Sequence, residues 1–171
     1  DYIQVDCKGH AGYSSYPTRI GNQAPGFEKD ILDIFRKVTR KHHVALYVHY
    51  SGVWDTRAMQ LHPEWAIVHQ DGSYDRDKAA YFGPYSDKLL IPQLKEIAAK
   101  DIDGAWIDGD CWSAIPDYSR YMQQFYTTET GKKVMPKKGE EGYEEFLELN
   151  RKAFRIYMKK YIDAIHQAYP E

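Results

Sequence analysis

The chain alternates between short runs patterned every second residue and longer runs with apolar residues every three or four positions. In the first run, residues 2–8, Ile3, Val5 and Cys7 share one face. Gln4, Asp6 and Lys8 share the other, and His10 continues that polar parity. After a loop marked by Pro17, Gly21, Pro25 and Gly26, the spacing of Phe27, Ile31, Ile34, Phe35 and Val38 predicts a helix over 27–41. A second strand is predicted over 44–50, with Val44, Leu46 and Val48 on one face and Ala45, Tyr47 and His49 on the other. Residues 51–86 show no clear period. A helix starts near Pro92 and carries Leu90, Ile91, Leu94, Ile97 and Ala98, because proline suits a first helical turn. The third strand is 104–108. A second long loop, 109–141, precedes a helix over 143–168 with an apolar stripe from Tyr143 and Phe146 to Ile162 and Ile165.

Strand and helix alternating three times imply a parallel sheet. A doubly wound sheet would bury both faces of each strand and make both apolar. Here each strand has one aliphatic face and one polar or aromatic face, which fits a barrel whose outer face meets helices and whose inner face lines a site. The expected class is therefore α/β, of the (β/α)8 TIM-barrel type, with residues 1–171 forming one segment of about three βα units. A complete barrel takes eight units and about 250 residues. The rest of the barrel polypeptide is accordingly an expected partner.

Composition narrows the partners. The 23 basic and 25 acidic residues give a net charge of -2, which predicts neither a nucleic-acid nor a membrane partner. No apolar stretch is long enough to span a bilayer. The 15 tyrosines and 4 tryptophans outweigh the 6 phenylalanines, so most aromatic surface carries a polar handle. That suits a sugar, which offers C–H faces and hydroxyls together. Cys7 and Cys111 are read as free thiols, buried or near the site, since two cysteines make neither a disulfide framework nor a zinc motif. The chain opens at Asp1 without Met, as a mature or excised product would, and its compartment is left open, secretion and the periplasm included.

The chemistry-bearing residues gather at predicted strand ends, where barrel enzymes place their sites. Asp108 ends the third strand on the same face as Trp106, and Asp110 follows two residues on. A carboxylate so placed can attack an anomeric carbon if a second carboxyl lies about 5–5.5 Å away. It can equally be a turn residue, since Asp-Gly is a common turn signal. Asp6, Lys8 and His10 end the first strand, and His49 and Tyr50 end the second. Trp106 or Trp112 would supply an apolar platform. His62-Pro63-Glu64-Trp65 in the first long loop walls a sugar subsite or anchors the loop. His42 and His43 suit a helix end. No His-Glu-x-x-His spacing occurs, and neither a metal nor any other cofactor is expected.

These residues resemble a known pattern. Cys7-Lys8-Gly9-His10-Ala11-Gly12-Tyr13 resembles the Lys-His-His-Asp-Gly-Phe stretch of family 29 α-L-fucosidases. The run from Lys41 to Tyr50 is similar to that family's strand ending in Gly-Leu-Tyr-Tyr-Ser. Ile91 to Ile97 followed by Trp106-Ile107-Asp108-Gly109 is similar to its Gln-Leu-x-Glu-Leu helix and Trp-Phe-Asp-Gly strand. Fucosidase-like glycosyl hydrolases of unassigned activity, some joined to β-galactosidase-type domains, are similar too, through His62-Pro63-Glu64-Trp65. The resemblance covers roughly residues 2–110. It implies retaining hydrolysis with Asp108 as nucleophile and His10 holding sugar hydroxyls. Gly9 stands where the family has its other paired histidine, and Ala11 where it has the following aspartate, which weakens the expectation of fucose. The family's acid/base falls later in the barrel and matches no residue of this chain.

The expectation is a glycosidase acting on an oligosaccharide or glycoside. Asp108 and Asp110 are its candidate catalytic residues, and Asp6, Lys8, His10, His49, Tyr50, Trp106 and Trp112 its candidate binding residues. The competing expectations are a non-catalytic carbohydrate-binding or assembly segment, the remnant of a barrel, and a metal-dependent hydrolase on the same scaffold with metal near Asp6, His10 and His49.

Overall fold

A computed structural model describes residues 1–109 and 115–170. Its centre is a sheet in which β1 (Tyr2–Lys8), β4 (Ala45–Ser51) and β7 (Gly104–Asp108) run parallel, in that order. Two short strands from the first loop, β2 (Tyr13–Ser14) and β3 (Asn22–Gln23), extend the sheet beyond β1. Helix α1 (Ile31–Lys41) connects β1 to β4, and α3 (Ile91–Ala98) precedes β7. The long helix α5 (Tyr143–Ala168) packs on α3. This is a mixed α/β fold built on a parallel-rich sheet. The sheet is open rather than a closed barrel: its order ends at β3 on one side and β7 on the other. Closing a barrel of this kind takes eight strands.

The element boundaries follow local chemistry. Helix α1 begins at Ile31 rather than residue 27, because the Asp30 carboxylate accepts the Asp33 N–H and caps it there. The stretch 51–86 holds more order than its lack of period predicts. It contains α2 (Thr56–Leu61), a 3-10 turn at Pro63–Trp65, and a hairpin of β5 (Ala66–Val68) with β6 (Tyr74–Ala79). A π-helical turn, Ser86–Leu90, leads into α3. Within the second long loop lies α4 (Arg120–Thr130), capped by the Ser119 side chain and closed at Gly131 in the left-handed conformation. No helix among the described residues is long and apolar enough to cross a membrane.

The sheet has one covered and one uncovered face. Leu46, Val48 and Tyr50 of β4 point into the core with Leu94 and Ile97 of α3 and Tyr157 of α5. On the opposite face Gln4, Asp6, Tyr47 and Trp106 are exposed. The two-faced strands predicted from the sequence are thus present. Helix α1 is turned differently from its apolar stripe. It buries Leu32, Arg36 and Thr39 and leaves Ile31, Ile34, Phe35 and Val38 in water. The opposite flank is tied by charge to the turn before β7: Arg36 Nη1 donates to the Asp101 carbonyl (2.9 Å) and Asp103 Oδ2 (2.5 Å), and Arg40 pairs with Asp101. An apolar groove of about 270 Å³ runs beside β7, lined by Ile97, Ile102, Ile107, Tyr161 and Ile165 among others.

Candidate active site

The pairing of the three parallel strands puts the candidate side chains side by side. Asp6 is opposite His49, His49 is opposite Trp106, and Ser51 is opposite Asp108. Because alternate residues share a face, Asp6, His49, Trp106 and Asp108 all emerge on the uncovered side. His49 lies between two carboxylates: its Nδ1 is 2.6 Å from Asp6 Oδ1 and its Nε2 is 3.1 Å from Asp108 Oδ2. The other Asp108 oxygen accepts the Gly109 N–H at 2.7 Å. Trp106 presents its ring to His49 edge-on, with centroids 5.8 Å apart.

His10 enters from the loop after β1. Its Nε2 is 3.8 Å from Asp108 Oδ2 and its Nδ1 is 2.6 Å from Ser51 Oγ. The Ser51 hydroxyl donates its one proton to the Trp54 carbonyl at 2.5 Å, so it can only accept from His10. His10 therefore carries its proton on Nδ1 and, when neutral, turns the lone pair of Nε2 to the space beside Asp108. Trp54 stacks on the imidazole, 4.9 Å between centroids and 17° from parallel, and Lys78 Nζ lies 4.6 Å from the indole centroid. The loop is anchored on α2, where the Thr56 and Arg57 N–H groups donate to the His10 and Ala11 carbonyls. Gly109 takes a φ of +84°, and a β-carbon there would lie 3.2 Å from both His10 Cε1 and Trp54 Cβ. Its lack of a side chain is what lets His10 and Trp54 pack against this turn.

The electrostatics follow from this packing. Burial works against the charged form of His49, but the hydrogen bonds and charges of Asp6 and Asp108 outweigh it and raise the pKa above the ordinary imidazole value. Burial likewise works against the Asp108 carboxylate. The Gly109 N–H, the His49 hydrogen bond and the nearby imidazoles outweigh it, so the pKa is lowered. The cluster favours a carboxylate facing an imidazolium.

Two candidates are placed elsewhere. The strand pairing slips between Asp6 and Lys8, so Cys7 is an extra residue and Lys8 pairs with Tyr50. That bulge reverses the parity. Lys8 turns into the core, where Nζ meets Asp55 Oδ2 at 2.7 Å, the Tyr85 hydroxyl at 2.9 Å and the Ser51 carbonyl at 3.1 Å. Tyr50 follows its own strand's alternation to the covered face, and its buried hydroxyl donates to Gln93 Oε1 at 2.6 Å. Neither side chain stands with Asp108 on the uncovered face; both are buried on the other side of the sheet. Cys7 is a buried free thiol whose pKa burial pushes up to about 12, with the Asp6 charge adding to that. His62 stacks on Trp65, their centroids 3.9 Å apart, in the 3-10 turn after α2. Asp110, Cys111 and Trp112 lie outside the described residues. Ser51, Trp54 and Gly109 belong to the site and were not singled out from sequence. A small residue at the end of β4 and an aromatic just beyond it were the available signal.

Among the described residues, no group of three or more His, Cys, Asp or Glu has an arrangement that could hold a metal ion. His49 directs both nitrogens at carboxylates.

No family model matches the sequence, and neither does any curated protein. Among solved structures the chain is similar in fold to an α-L-fucosidase, isoenzyme 2 from Paenibacillus thiaminolyticus. The TM-score is 0.79 and the identity 20%, over 99% of this chain. The chain spans about a quarter of that fucosidase, 26% of its length. It is also similar to a hypothetical protein from Ruminiclostridium thermocellum ATCC 27405, with a TM-score of 0.52 and 20% identity, over 88% of this chain and 75% of that one. At such identities the likeness shows a fucosidase-like fold.

Proposed function

We propose that this chain is part of a (β/α)-barrel glycoside hydrolase that cleaves a glycosidic bond with retention, using Asp108 as nucleophile. The observation that carries the reading is the setting of Asp108 at the end of β7. Its carboxylate is favoured in the charged form, and it sits on an open face beside His10, Trp54 and Trp106. An Asp108 oxygen attacks the anomeric carbon, and the bond from that carbon to the leaving oxygen breaks. The leaving oxygen takes a proton from an acid elsewhere in the polypeptide. Water, deprotonated by that same group, then attacks the covalent sugar ester and frees Asp108. Asp6 is unsuited to be the opposed acid, because the His49 ring fills the space between the two carboxylates. His10 accepts a sugar hydroxyl at Nε2, and Trp106 gives the ring an apolar platform. Asp110 and Trp112, two and four residues beyond Asp108, remain proposed site residues. No cofactor is needed for this chemistry.

The remainder of the barrel is the proposed partner. It would supply the acid and cover the open edge of β7, the groove beside it and the apolar flank of α1. The substrate is an oligosaccharide or glycoside. The fold likeness to a fucosidase supports this class of chemistry more than any one sugar.

The test is hydrolysis of nitrophenyl glycosides, α-L-fucoside and β-D-galactoside among them, by the complete polypeptide that carries this chain. Turnover lost in Asp108→Gly and restored by azide, which fills the vacated space as a small nucleophile, is the expected result. Folded wild-type protein that turns over no glycoside would move the reading to carbohydrate binding without catalysis.

A further inference from the structure

His49 has no free nitrogen. Nδ1 is 2.6 Å from Asp6 Oδ1 and Nε2 is 3.1 Å from Asp108 Oδ2. An ionised carboxylate can only accept, and a neutral imidazole carries a single N–H. A neutral His49 could serve one carboxylate and would turn a lone pair on the other. Only the imidazolium donates to both, and imidazole is by nature more basic than either carboxylate.

We propose that His49 is a positioning residue that works as an imidazolium, with Asp6 holding the proton on Nδ1 so that Nε2 can fix the Asp108 carboxylate for attack. The proposal rests on the reading of Asp108 as nucleophile, and it changes the expected role of His49 and Asp6 from hydroxyl binding to preorganisation. With Oδ2 held by His49 and Oδ1 by the Gly109 N–H, the Asp108 carboxylate is tied at both oxygens and its plane cannot turn. A reacting group set in one orientation avoids the cost of reordering during the reaction.

Among the described residues, the charged and titratable groups that face His49 come from three elements. Asp6 faces it from β1, Asp108 from β7, and His10 from the loop after β1, with ring centroids 6.4 Å apart. Trp106 contributes an uncharged ring edge. Both carboxylates favour the imidazolium, and His10 opposes it only when itself protonated. As pH rises and His49 loses its proton, one of the two bonds must go. Loss of the His49 proton therefore lowers activity on the alkaline side, alongside deprotonation of the general acid, and removing the Asp6 charge moves the His49 titration to lower pH.

The experiment is nuclear magnetic resonance of the histidine ring nitrogens in the complete polypeptide, with His49 assigned by its loss in His49→Gln. Both His49 nitrogens are expected to be protonated at neutral pH, with titration above the ordinary 6.5. Asp6→Asn lowers that titration, and Asp6→Glu restores most of it. On a cleavable glycoside, Asp6→Asn lowers kcat by roughly 10- to 100-fold, the worth of one charge-assisted hydrogen bond, with KM little changed. A His49 that is neutral at pH 7, or a titration that Asp6→Asn leaves in place, overturns the proposal. If Asp6→Asn does not fold, the wild-type spectrum decides, since a neutral ring shows one bare nitrogen. A raised, Asp6-dependent titration in protein that cleaves no glycoside upholds the pairing and overturns the hydrolase reading instead.

Discussion

Lys8 Nζ lies 2.7 Å from Asp55 Oδ2, with the two side chains 1% and 0% exposed. The pair joins β1 to the start of α2, where the other Asp55 oxygen caps the helix by accepting the Ala58 N–H at 2.8 Å. A charge this deep is held by its partner. Lys8→Met leaves Asp55 uncompensated and is expected to cost about 3–5 kcal/mol of stability, whereas the double variant Lys8→Met/Asp55→Asn recovers part of that loss. Urea unfolding checks it. With Asp55→Asn measured alongside, a double-variant loss equal to the sum of the two single losses would mean that the two charges are not coupled.

Gly109→Ala places a β-carbon where the backbone is left-handed and where His10 and Trp54 already close in. The conformation alone is expected to cost about 1–2 kcal/mol. The crowding should also push His10 away from Asp108, so kcat/KM should fall further than stability does. Thermal unfolding and kinetics on the same preparation separate the two effects. Unchanged kinetics would show that His10 can retreat without loss.

Asp103 gives a pH dependence of known sign. Its carboxylate accepts the Leu46 N–H at 2.7 Å, and burial only partly offsets that bond and the Arg36 partner, so its pKa falls below the ordinary 3.8. The unfolded chain then takes up this proton more readily than the folded one. The stability Asp103 confers is complete above pH 3.8 and drains away as pH falls through its lower folded value. Asp103→Asn should flatten the acid end of a plot of urea midpoint against pH. An acid limb identical to that of wild type would assign the effect to other carboxylates, Asp108 among them.

Much of the site was legible wherever the backbone is regular. Asp6, His49, Trp106 and Asp108 share a face because β1, β4 and β7 keep strict alternation up to those positions, and alternation can be counted along a sequence. Lys8 escaped the count, because one extra residue at Cys7 turns it inward and nothing in the residues 6–8 announces a bulge. Tyr50, adjacent to His49, had to face the other way. The α1 stripe shows a different limit. Its periodicity marks a helix correctly, but the flank that packs on the sheet is Leu32, Arg36 and Thr39. Periodicity reports that a helix has two sides and not which of them meets the rest of the chain. The α2 helix and the β5–β6 hairpin were missed for another reason. They are short, and their order comes from tertiary bonds such as the Asp55 N–H to the Asp77 carbonyl.

The uncovered flank of α1 also governs how the chain behaves as a material. Four aliphatic and aromatic side chains on one helix flank, in a fold whose described sheet ends at β7, offer neighbouring copies a surface on which to associate. The working life of this chain in solution is therefore expected to shorten as its concentration rises, which light scattering across a dilution series would read. Sulfate or phosphate, which strengthen apolar burial, shorten that life, and mild urea extends it.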